Sequence, residues 1–290
     1  MFDNIFAAIE KWMRELLTGM VESNMSTMFT DVNEKTSEIA AQVGRTPQNW
    51  NRSVFSMIQN LSESVVVPIA GIIITLVLCY ELISMLTERN NLHDVDTWMF
   101  FKYFVKAWVA IYLVSNTFTI TMAVFDVGQS VVNSASGIIN GETAIDVSSL
   151  SMQMQAAMAT MEIGELVVLA LETFLVSFCM KIMSVVITVI VYGRMIEIYL
   201  YTSLAPIPFA TMSNREWGHV GTNYFRGLFA LAFQAFLMMV CVAIYAALIS
   251  SVRISSNMHS ALIGVAAYTV ILCFSLMKTG SLSKQIFGSH

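Results

Sequence analysis

Residues 166–212 read LVVLALETFLVSFCMKIMSVVITVIVYGRMIEIYLYTSLAPIPFATM. The run is apolar enough to lie in a bilayer, yet it carries Glu172, Lys181, Arg194 and Glu197 and ends through Ala205-Pro206-Ile207-Pro208. A charge near the bilayer centre costs roughly 2.5–3.5 kcal/mol even on the lenient insertion scale. Charges and prolines in one apolar region therefore need other helices, water or a second subunit around them. Leu166–Gly193 reads as one long span. Met195–Met212 reads either as a full crossing or as a re-entrant segment that returns at its helix break, Pro206 and Pro208. Non-helical backbone at membrane depth is tolerated only where protein or water covers it.

The rest of the chain supports a membrane class. It has 290 residues, 56% hydrophobic and 12% charged, with mean hydropathy +0.68. A soluble domain carries about 25% charged residues. Further apolar runs lie at residues 64–86, 107–125, 227–252 and 261–277. A span takes about 20 residues. The expected fold is all-α: a polytopic helical membrane protein with five to six membrane segments, one Pro-broken or re-entrant, plus an N-terminal amphipathic helix. Its parts are 1–63 (amphipathic helix and polar external segment), 64–125 (first two transmembrane helices), 126–165 (external acidic loop), 166–277 (transmembrane core, broken near 195–212) and 278–290 (short tail).

Charge sets the expected orientation. Residues 126–165 hold no Lys or Arg but do hold Asp126, Glu142, Asp146, Glu162 and Glu165. The preceding segment holds Arg89, Lys102 and Lys106. The excess of Lys and Arg in cytoplasmic loops places 126–165 outside, 87–106 inside and the N-terminus outside. A returning Met195–Met212 leaves Arg215, Arg226, Lys278 and Lys284 inside and Arg253 outside, which satisfies the rule better than a full crossing.

Residues 1–22 form an amphipathic helix with Phe2, Phe6, Trp12 and Leu16 on its apolar face. It either lies on a membrane surface or packs on the protein, along an oligomer axis. Arg194 and Glu197, three apart, share a helix face and can pair; the pair belongs to the inner interface, a pore or a subunit contact. Glu172 and Lys181 are too far apart to meet within one helix, so each needs another partner. Asn116, in the polar run Ser115-Asn116-Thr117, and Gln234 either bond between helices or line a wet path.

Several classes fall away. The net charge of −5 argues against general nucleic-acid affinity. Cys79, Cys179, Cys241 and Cys273 stand singly in apolar runs and read as buried small side chains. No zinc spacing, HExxH, GxSxG or GxxxxGKS/T is present. No catalytic residue, metal or cofactor is expected, and His93, His219, His259 and His290 lie far apart.

Arg194-Met-Ile-Glu-Ile-Tyr-Leu-Tyr-Thr-Ser-Leu-Ala-Pro-Ile-Pro-Phe-Ala210, with Trp217, Gly221, Arg226-Gly227 and Gln234 after it, resembles the core of the TrbL/VirB-type polytopic subunit of type IV secretion systems. The resemblance implies a non-enzymatic channel or assembly-platform subunit of a conjugation machine in the bacterial cytoplasmic membrane. It implies a homo-oligomeric ring, for which a pentamer fits, amid membrane lipids. Pilin or stalk proteins and the assembly and coupling ATPases would be its partners, and translocated DNA or protein a transient one. A small-solute or ion transporter and a phage or mobile-element structural protein are the alternatives.

Overall fold

The computed structural model describes residues 2–87, 97–139, 147–252 and 258–289. The expectations placed on Arg89, His93, Glu142, Asp146, Arg253, His290 and the Phe2 side chain fall outside the described residues. Within them all regular structure is helical: α1 (Phe2–Val43), α2 (Pro47–Trp50), α3 (Arg52–Leu61), a π-helical turn (Ser62–Val66), α4 (Val67–Thr87), α5 (Thr97–Ser115), α6 (Thr117–Ile139), α7 (Val147–Met158), α8 (Ile163–Ser203), α9 (Pro206–Thr211), α10 (Gly218–Ser250) and α11 (Met258–Ile286). Among the described residues five helices are long and apolar enough to cross a membrane: Arg52–Thr87, Thr97–Ser115, Ile163–Ser203, Gly218–Ser250 and Met258–Ile286. The chain is an all-α polytopic membrane protein.

Several boundaries differ from the sequence reading, each for a local reason. The apolar run 107–125 is interrupted at Asn116, whose Nδ2 donates to the Tyr112 carbonyl at 2.9 Å. The backbone bonds continue there, from Asn116 N–H to the Tyr112 carbonyl at 3.1 Å and from Ile120 N–H to the Asn116 carbonyl at 3.0 Å; the helix apolar enough to span is α5, and Lys102 and Lys106 lie within it. Helix α8 does not stop at Gly193. It runs unbroken through Arg194 and Glu197 to Ser203, and the break falls at Leu204–Ala205, where Pro206 opens α9. Pro lacks an N–H and suits the first helical position. Pro68, by contrast, sits inside the Arg52–Thr87 helix. Its ring would clash with the carbonyl four residues back, Ser64, and the π turn over Ser62–Val66 absorbs that conflict.

Two compact units are present. The first comprises Met1–Val43, Ser134–Val191 and Met238–Lys278. Here α1 buries Val21, Met25, Met28, Phe29, Val32, Ile39 and Val43, a helical spacing that forms one face. The helix therefore runs twice as far as its apolar start indicates. The buried row is hidden in the sequence among Ser, Thr and Glu. Arg14 donates to the Met161 carbonyl at 2.8 Å, Asn24 to Thr173 at 3.5 Å and Lys35 to Thr188 at 3.3 Å. Partner numbers rise together, so α1 runs parallel to α8. Helix α7 packs on α1 and buries Met154 and Met158.

The second unit comprises Gly44–Asn133, Tyr192–Leu237 and Thr279–His290. Its centre is α9, whose Phe209 and Ala210, with Ala205, pack against Ala70 and Ile74 of α4, Ala110 and Val114 of α5, and Tyr224 of α10. A second cluster joins Val124 and Phe125 of α6 to Met195 and Ile198 of α8 and Leu228, Leu231 and Ala232 of α10.

Candidate functional site

In the second unit, close helix approach depends on missing side chains. A Cβ on Gly221 would lie 2.5 Å from the Pro208 carbonyl oxygen and 2.1 Å from Met212 Cγ. On Gly128 it would lie 2.8 Å from the Ala232 carbonyl oxygen. These glycines let α10 come against the α9 turn and α6. Beside Gly221 and Gly227, Tyr201 and Tyr224 stack with centroids 4.4 Å apart and planes 6° apart. Each hydroxyl donates to the other's carbonyl, Tyr201 at 3.1 Å and Tyr224 at 2.7 Å. The exchange ties the end of α8 to α10 across the proline turn. No pattern in the sequence marks this pair.

The charged residues find partners other than those expected. Arg194 is 7% exposed; it donates to the Leu231 carbonyl at 3.3 Å, and its Nε has no hydrogen-bond partner. The expected Arg194–Glu197 pair is replaced: Glu197 is half-buried and pairs with Lys284 of α11 at 3.0 Å. The i, i+3 spacing put Glu197 near Arg194 but could not foresee a cation from another helix. Gln234, buried, donates to Thr279 at 3.4 Å and leaves its Oε1 unpaired. Ser283 donates to the Ala230 carbonyl at 2.6 Å. The tail after Lys278 thus bonds to α8 and α10. Asn116 bonds within its own helix rather than between helices.

At the end of the α4–α5 pair lies an open cavity of about 470 Å³, lined by Tyr80, Glu81, Lys106, Asn214, Arg215 and Glu216 among others. Lys106 pairs with Glu81 at 2.5 Å and Tyr80 donates to Glu216 at 2.9 Å. Tyr80 stacks on Trp217, and Lys102 lies over the Trp98 ring. Clustered Trp and Tyr with basic residues mark a membrane–water boundary.

In the first unit, Glu172 meets His259 of α11, a partner the sequence did not reveal. Lys181 has no partner among the described residues and is exposed on the same face of α8 as Phe174, Phe178 and Val185. Phe6, Trp12 and Leu16 are 68%, 61% and 49% exposed, so the described residues leave the apolar start of α1 uncovered. Two cysteines expected to be buried, Cys79 and Cys179, are exposed on the apolar surface. Membrane helices place small apolar side chains outward as readily as inward, because lipid is as apolar as the core.

A model of the family described as TrbL/VirB6 plasmid conjugal transfer like protein matches residues 32–206, more than half of the chain. The chain belongs to the TrbL/VirB6 family. No curated protein and no solved structure matches it. This TrbL/VirB6 protein is accordingly a multi-pass membrane subunit of conjugal transfer, associated with other subunits of that machinery. The match begins inside α1 and ends at the first residue of α9, so it includes Arg194, Glu197 and the helix end before Pro206.

Proposed function

We propose that this TrbL/VirB6 subunit is a non-enzymatic channel and assembly-platform component, working as a ring of identical copies, with a pentamer as the favoured number. One observation carries the reading. Between Asn24 and Lys35, about 16 Å of helix, α1 runs beside Thr173–Thr188, the middle of the apolar run of α8. Its outward face there is polar: Ser26, Thr27, Thr30 and Glu34 are exposed. Lipid tails offer such a face no hydrogen bonds and solvate no carboxylate. A neighbouring copy and a water-filled path satisfy it. The wet path would serve DNA or protein in transit, and pilin or stalk proteins and the ATPases of the machine are the partners. The cytoplasmic membrane is the proposed location, with the N-terminus and 126–165 outside. Glu172, Arg194, Glu197, Gln234 and Asn116 are proposed as polar positions within the membrane body, and Pro206 and Pro208 as its helix break.

Native mass measurement of the full chain in nanodiscs tests the ring. The expected particle is a multiple of the 32.2 kDa chain, five copies being favoured. A monomer at every lipid composition, in membranes that support transfer, overturns it.

A further inference from the structure

The first unit leaves charges of both signs unmatched at nearly one depth. Asp31 and Glu34 of α1 have no hydrogen-bond or ion-pair partner among the described residues; Glu34 is exposed and Asp31 half-buried. Lys35 is already engaged by Glu38 at 2.5 Å and by Thr188. On α8, Lys181 is exposed and without a partner on an otherwise apolar face. The Lys35–Thr188 bond sets the register of the two parallel helices. Counting back at 1.5 Å per residue places Asp31 about 5 Å and Glu34 about 9 Å from the depth of Lys181. Within one chain Glu34 and Lys181 are exposed and unpaired, and half-buried Asp31 borders a pocket beside Met180 and Ser184 of α8.

We propose that Lys181 of one copy binds the Asp31/Glu34 face of α1 in the next copy. This rests on the ring reading above. A closed cyclic ring holds every copy at the same height, so the depth match within one chain carries over to its neighbour. The interface is head-to-tail: the α8 face with Phe174, Phe178, Lys181 and Val185 meets the polar face of α1. An unpaired ammonium in an apolar face is costly. Opposite charges across an interface fix register and partner choice, and here they would set the rotational order of the ring.

Charge exchange in the full transfer machine tests this. Lys181→Asp alone and Asp31→Lys alone each lower transfer and ring yield by about tenfold or more, as expected when one partner of a desolvated pair is lost. The double exchange, Lys181→Asp with Asp31→Lys, restores both to near wild type. In a chain with its four native cysteines replaced by Ala, Asp31→Cys with Lys181→Cys gives covalent dimers with a short bismaleimide. Failure of rescue, or wild-type ring yield from Lys181→Met, overturns the pairing; the latter means that Lys181 reaches lipid headgroups. A ring seen by native mass without dimer cross-links sinks the pairing and spares the ring. A monomeric wild type sinks the ring itself.

Discussion

Gly221 shows how one residue fixes the heart of the second unit. A methyl there must displace the Pro208 carbonyl, which is backbone and cannot rotate away. Gly221→Ala is expected to lower stability by about 1–3 kcal/mol, the usual cost of overpacking. Gly71, in α4, has open space where its Cβ would be. Gly71→Ala should leave stability level or raise it by about 0.5–1 kcal/mol, since Gly weakens a helix interior. Thermal unfolding of the two variants in one detergent checks the contrast. Equal changes in the two variants would show that no close contact sets Gly221 apart. Gly221 and Gly227 stood out in the sequence beside the Pro turn. Their roles did not, because the atoms they make room for lie on Pro208 and Tyr201, elsewhere in the chain.

At the scale of elements, the apolar runs announced the helices and the prolines announced a break, but not its place. Gly193-Arg194 looks like an interruption because a glycine precedes a charge. The helix continues because Met195, Ile198, Tyr199 and Thr202 keep one buried row, and Arg194 finds the Leu231 carbonyl. That continuity is testable by inserting one Ala between Tyr192 and Gly193. In a continuous helix the insertion turns the residues beyond it by about 100° relative to those before it, so the buried rows on its two sides no longer line up. Folded protein should then be lost from membranes. Normal accumulation would show that a hinge at Gly193 absorbs the extra residue. Helix α1 was legible only in its first half. The apolar row from Val21 to Val43 is diluted by Ser, Thr and Glu, so its pairing with α8 depends on contacts some 150 residues away in the chain.

For the molecule as a whole, composition and the Arg194–Pro208 signature led to the family. Pairings such as Glu172–His259 and Glu197–Lys284 were out of reach, because each joins residues 87 apart in sequence. The parallel run of α1 and α8 has a consequence for topology. The N-terminus and the start of α8 should face the same side of the membrane. Reporters fused before Phe2 and inserted at Thr160 should read the same compartment, the outer one by the charge rule. Opposite readings would break the parallel packing.

The order of synthesis gives α1 a history. Its bonds to α8 cannot form until Thr173–Thr188 has been made, some 149 to 153 residues later. At 5–20 residues per second the wait is roughly 7–30 s. During it the newborn helix presents two apolar faces, one that α8 will later cover and one, Ile5 to Met20, that the described residues leave exposed. The lipid surface beside the ribosome is the environment that shelters both. A helix that ends alongside a transmembrane segment thus begins its life as a peripheral one.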